Sequence, residues 1–425
     1  MKVPTFNLFT TLIKSSSSTT GATKLKHGAV VLTASCLLLL ACAGLAFILP
    51  TVQAQQQEEQ SLRMPSLISP VPTAKQTKAP PLLPSQRYGW RVDPKEVDHL
   101  LESLAADANR LSEPNQIGIN RWVDVWSDAL GRTFTTPDGS RVRVFALTSP
   151  GALGLRVHLE DFNLPAGDEV YLYGLSDKES LQDPYAEKGL RGEKDFWTGT
   201  IGGDTVVVEH YMKGDERPFR ISEISHLYGK VQHNEPTPNV LSCHRDASCT
   251  TNAEKNAVAR ITYIKDSGSF VCTGTLLTNR RADFTPYFLT ANHCLSTQAS
   301  ARTVEAYWFY QTAACNSANL RGDIVRTIQG ADLLATDRSA DSTLLRMVDN
   351  APAGTVFSGW DPNPRPLSTS VHGFHHPAGD SPPNPGSHLR RADGLIMQTN
   401  NVICPATGLA NGYFIDWTSG LTEQG

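Results

Sequence analysis

The stretch Phe288-Leu289-Thr290-Ala291-Asn292-His293-Cys294 decides how the rest of this chain is read. It begins as a short apolar run of strand length and ends on a histidine and a cysteine. Upstream, Val271-Cys272-Thr273-Gly274-Thr275-Leu276-Leu277 is a second apolar run, and Cys272 precedes Cys294 by 22 positions. The pair reads as two neighbouring buried strands, with an imidazole emerging where the second one ends.

The remaining totals set bounds around that core. A chain of 425 residues is long enough for two or three domains, each with its own core. The formal net charge of -4 is close to balance and no polybasic tail is present, which argues against nucleic acid and against an anionic membrane surface.

Residues 1–27 carry Lys2, Lys14, Lys24 and Lys26 and no acid, and a largely apolar run from Gly28 to Leu49 follows. Val52-Gln53-Ala54 then offers the small residues of a signal-peptidase site, so residues 1–54 read as a signal peptide cleaved after Ala54. The alternative is an uncleaved anchor, since the 22 positions of the apolar run could cross a bilayer. Leu39-Leu40-Ala41-Cys42 resembles a lipoprotein cleavage box, but the apolar run continues past Cys42, which speaks against a lipidated terminus. Each reading exports the chain to a secreted or periplasmic location. Disulfides persist there, and six cysteines remain after the signal, all beyond position 240. Six cysteines allow 15 pairings, so count alone leaves the connectivity open.

Residues 55–87 are rich in Gln, Pro, Ser and Lys and read as an exposed tether. In the next segment, 88–114, Asp93 as N-cap, Pro94 at the first helical position and an apolar stripe through Val97, Leu100, Leu101, Leu104, Ala108 and Leu111 predict a core-facing helix. From 115 to 230 short alternating runs are separated by turn signals such as Pro137-Asp138-Gly139 and Pro165-Ala166-Gly167-Asp168, the pattern of an antiparallel β-sandwich. Trp122, Trp126 and Trp197 are expected in its core, a carbohydrate-binding platform being the alternative. The proline-punctuated segment Val231 to Pro238 reads as an exposed junction before a last domain at 238–425, with Lys230 a candidate processing point.

The two motifs of the opening, FVCTGTLL and YFLTANHC, resemble the leading motifs of chymotrypsin-like serine proteases, and more narrowly those of the bacterial lysyl endopeptidases. The phrase GALGLRVHLEDFNLPAGDEVYLYG resembles the amino-terminal pro-regions of secreted bacterial serine proteases. The expected fold is therefore mainly β: a β-sandwich pro-region followed by an incomplete trypsin-like double β-barrel. The resemblance implies disulfides joining Cys272 with Cys294 and Cys249 with Cys315. In the family the partner of Cys243 lies beyond the nucleophile, and Cys404 has no counterpart.

Peptide hydrolysis by this chemistry needs a nucleophile, a base, a carboxylate that fixes the base's tautomer, and donors for the oxyanion. His293 fits the base. Among Asp323, Asp332, Asp337, Asp341 and Asp349, only Asp341 runs directly into Ser342-Thr343-Leu344-Leu345, similar to the Asp-x-x-Leu-Leu opening of a buried strand in these enzymes. The Gly-x-Ser-Gly loop of the family does not occur after Asp341. Instead Gly420-Leu421-Thr422-Glu423-Gln424-Gly425 resembles the run that leads into Ser-Ser-Gly-Ser in lysyl endopeptidases, which makes Gly425 an oxyanion-hole donor and places the nucleophile past it. The chain is thus expected to be a C-terminally truncated, inactive fragment of a secreted, monomeric zymogen. Ser419 is the nearest alternative nucleophile but precedes that loop. His372, His375, His376 and His388 fit a segment of the second barrel better than a zinc site, because neighbours on a strand point to opposite faces. No metal or cofactor is expected, and the partners are protein or peptide substrates, with lysine selectivity implied by the subfamily alone. A non-catalytic secreted binding protein on the same scaffold is the alternative.

Overall fold

The protein's structure, a computed structural model, describes residues 66–68, 89–93, 95, 115–136, 139–176, 182–228, 244–266, 268–317, 319–377, 388–399, 402–404, 408–410, 412–420 and 422. The signal segment, most of the tether and nearly all of the predicted helix lie outside the described residues, as do Lys230, Cys243 and Gly425. Two described pieces modify the expected entry into the sandwich. Leu67–Ile68, inside the expected tether, pairs antiparallel with Val356–Phe357. Gly89–Arg91, at the start of the expected helical segment, forms an edge strand parallel to Ala146–Thr148, and Val92 is buried. The partly buried Leu67 and Trp90 supply the apolar contacts of these two pieces. Asp93 accepts a hydrogen bond from the Lys95 N–H at 3.0 Å, the contact of an N-cap.

The amino-terminal part is built from strands β1 (Asn115–Trp126), β2 (Arg141–Thr148), β3 (Gly154–Glu160), β4 (Glu169–Gly174), β5 (Phe196–Trp197), β6 (Thr205–Met212) and β7 (Arg220–Leu227). One sheet joins β2, β6 and β4, and the facing sheet joins β5, β3, β7 and β1. Phe145, Leu155, Phe162, Val208, Phe219 and Ile224 interdigitate between them as a closed core. Alternation explains the arrangement, since Arg141–Thr148 buries every second side chain at its start. The turn at Pro165 to Asp168 also behaves as its residues require. Gly167 takes φ +90°, and the Asp168 N–H donates to the Pro165 carbonyl at 3.1 Å.

The carboxy-terminal part begins with β8 (Val258–Lys265), β9 (Gly268–Leu277), β10 (Tyr287–Thr290), β11 (Glu305–Trp308), β12 (Val325–Thr327), β13 (Ala331–Asp337) and β14 (Ser342–Met347). They curl around Ile261, Leu276, Phe288, Trp308, Leu345 and Phe357. Gly274 is required inside β9, because a Cβ there would stand 2.1 Å from the Phe288 ring. A second sheet joins Arg245–Asp246, β15 (Ser370–His375), β16 (Arg390–Thr399) and β17 (Tyr413–Ser419). The mainly β class is as expected.

Two features were not expected. The sandwich and the first barrel share a single sheet, in which β1 pairs antiparallel with the amino-terminal half of β9, Ile119 opposite Gly268. The core reading of two of the three tryptophans is also corrected: Trp122 is 73% exposed and Trp126 44% exposed, while Trp197 is partly buried. Trp122 and Trp126 stand on the face of β1 turned away from the sandwich core, and period-two alternation alone does not say which face is covered.

Candidate active site

The geometry of the site follows from where β10 ends and β14 begins. β10 lies between β9 and β14, with Thr290 opposite Thr343. The residues just after β10 and just before β14 therefore meet at one end of the sheet. His293 and Asp341 occupy those positions, and the disulfide between Cys272 and Cys294 ties the histidine's segment back to β9.

The contact is twofold. His293 Nδ1 lies 2.7 Å from Asp341 Oδ2, and the His293 backbone N–H donates to Asp341 Oδ1 at 2.8 Å. An ionised carboxylate only accepts, so Nδ1 carries a proton, the tautomer whose neutral form leaves the Nε2 lone pair free. Burial opposes the Asp341 charge, yet the hydrogen bonds from the His293 ring and backbone hold its carboxyl below the ordinary range. Asp341 also sits at φ +44°, a left-handed conformation uncommon outside glycine.

Around the pair, Asn292 Nδ2 donates to Thr336 Oγ1 at 2.7 Å, and Thr336 Oγ1 lies 2.7 Å from Thr343 Oγ1. Lys265 Nζ donates to the His293 carbonyl at 3.2 Å, fixing the histidine's backbone from the β8–β9 hairpin. Sequence reasoning missed Lys265 and Thr336, which carry no motif and are brought in only by strand pairing. The other aspartates are engaged elsewhere: Asp323 with Arg321, Asp332 with Arg191 and Arg346, Asp337 with Ser339, and Asp349 with Gln329.

Cys249 and Cys315 form the second described disulfide. Ser419 Oγ accepts from Arg245 at 3.1 Å in the second sheet. Gly425 falls outside the described residues. His375 and His376 are both buried and turn to different neighbours, His375 to the His244 ring at 5.7 Å and His376 to Tyr310 at 5.9 Å. This divergence follows strand alternation.

The sequence model described as "Lysyl endopeptidase, C-terminal domain" matches residues 239–425, and "Lysyl endopeptidase N-terminal domain" matches residues 91–228. The chain belongs to the lysyl endopeptidase family. It is 29% identical over 311 residues to a lysyl endopeptidase of Pseudomonas aeruginosa, covering 68% of this chain and 65% of that relative. The chain thus spans about two thirds of the length of this relative. A secreted RxLR effector protein 73 of Plasmopara viticola is 25% identical over 271 residues, covering 58% of this chain and 65% of its own length. Among solved structures, a thermostable serine protease AL20 from an extremophilic microorganism aligns at 15% identity over 40% of this chain and 82% of its own, with a TM-score of 0.25.

Proposed function

We propose that this lysyl endopeptidase family member is the precursor of a secreted serine endopeptidase acting through an acyl-enzyme. The carrying observation is the double hydrogen bond that joins His293 to Asp341 at the end of a disulfide-pinned strand. In this reading Nε2 of His293 takes the proton of a serine hydroxyl as it attacks the scissile carbonyl. The ring then returns that proton to the leaving amine. Asp341 holds the tautomer and stabilises the transient imidazolium. The serine belongs to a Ser-Ser-Gly-Ser loop following Gly425 in a longer product, and the Gly425 N–H is one of its oxyanion donors. Lysine is the residue preceding the cleaved bond. Residues 115–230 form the pro-region of a zymogen, exported with cleavage after Ala54, and the mature enzyme is a monomer.

The test starts from the coding sequence beyond Gly425. A Ser-Ser-Gly-Ser continuation supports the reading, and a stop codon there overturns it in favour of a non-catalytic binding protein. The secreted product should then hydrolyse lysyl esters in preference to alanyl and leucyl ones.

A further inference from the structure

The sandwich sheet presents a face that the protease chemistry does not use. In register, one row across it reads Trp122 on β1, Glu223 on β7, His158 on β3 and Trp197 on β5. The next row reads Trp126, Arg220 and Glu160. All three tryptophans singled out in the sequence therefore stand on one side of one sheet, at three corners of a grid whose interior is polar. Trp122 and Trp126 lie in adjacent rows on the same side of β1, with a bulge at Asp124 (φ +48°) between them, and three interstrand steps separate Trp122 from Trp197, about 14 Å. Trp197 is stacked on His158 with centroids 4.7 Å apart and planes within 2°, so the imidazole covers one face of that indole.

We propose that this face binds an uncharged polysaccharide. Indole faces take the C–H-rich face of a sugar ring, and planar carboxylate and guanidinium groups between them bond its hydroxyls. The charges on the face favour a neutral polymer over a charged one. Arg220 is held by Asp124 at 2.7 Å and by Glu160 at 3.1 Å, and His158 lies 2.7 Å from Asp195. With Glu223, four acids stand against one arginine and one histidine. The balance repels nucleic acid, sulfated glycans and anionic bilayers, while the acceptors remain suited to hydroxyl donors.

The position has a consequence for the protease. Arg156 lies on the same side of β3 as His158, two residues away, and is buried where its charge meets Glu305 of the carboxy-terminal part. A polysaccharide lying across the tryptophans would run beside the protease part and fix the protein on a glycan-bearing surface.

The experiment uses the full chain with insoluble chitin, cellulose and curdlan, and with their soluble hexasaccharides followed by tryptophan fluorescence. At least one of the three should retain the protein. The Trp122→Ala/Trp126→Ala variant should lose at least tenfold in affinity with an unchanged melting curve, and Glu223→Gln should weaken binding by less. No retention on any of the three overturns the proposal. So does equal retention of the double variant, retention only on anionic vesicles or heparin, or a melting shift showing that the two indoles are packed in the fold.

Discussion

Glu305 is fully buried, on β11, at the seam between the two parts of the chain. Its carboxylate accepts from the Thr200 N–H at 2.5 Å, from Thr200 Oγ1 at 2.6 Å and from Thr262 Oγ1 at 3.0 Å. Arg326 stands 3.8 Å away. Burial disfavours the charge, but Arg156, Arg326 and the Thr200 donors prevail and hold the carboxyl below its ordinary range. At an effective dielectric near 20, the Arg326 contact alone is worth about 4 kcal/mol before desolvation is subtracted. Glu305→Leu would leave the buried Arg156 and the partly buried Arg326 without their shared counter-charge, a loss of about 3–5 kcal/mol. The assay is thermal unfolding of the full chain, where about 2 °C per kcal/mol predicts a drop of roughly 6–10 °C. Arg156→Met added to Glu305→Leu should recover at least about 1 kcal/mol, because removing both partners costs less than stranding one. A drop under about 2 °C, or a double variant whose loss is the sum of the singles, refutes the reasoning.

Three further outcomes follow from the same physics. His375 is held down to about 3 and His388 and His226 to about 4, in each case chiefly by burial. Unfolded imidazoles take up protons below about pH 6.5 and these three do not, so stability is full above that pH and falls as the pH drops towards 4, by up to about 1.4 kcal/mol per pH unit for each; a melting temperature constant from pH 7 to pH 4.5 contradicts it. Replacing Cys272 and Cys294 by alanine opens a loop of 22 residues and should cost about 3 kcal/mol, seen as a lower denaturation midpoint under non-reducing conditions. In the proposed longer product, Asp341→Asn should lower kcat by about 10⁴ with little change in KM, since the asparagine amide favours the wrong tautomer of His293; an unchanged kcat removes Asp341 from the site.

The site was the most legible part of the chain, because its signals are local. A strand-length apolar run ends on His293, and Asp341 alone opens directly onto another such run. Pairing of those two strands then brings the residues together without any further instruction from the sequence. The sandwich was legible for the same reason, through alternation and turns such as Gly167. What the sequence hid was long-range. Nothing in Asn115 to Ile119 announces that it pairs with Gly268 to Val271, because edge pairing uses backbone groups that every residue carries. Glu305 looks like a solitary acid in an apolar strand until Arg156, 149 positions upstream, meets it across the seam. Trp122 and Trp126 read as core because alternation marks two faces and leaves open which one is covered.

The most direct measurement is the hydrolysis of a lysyl ester by the proposed product extended past Gly425, comparing His293→Ala with the unaltered protein at neutral pH. If His293 is the base that activates the serine, the variant falls by about 10³-fold or more in kcat while its melting temperature and its two described disulfides are kept. A folded His293→Ala protein that hydrolyses the ester at the rate of the unaltered one contradicts the assignment.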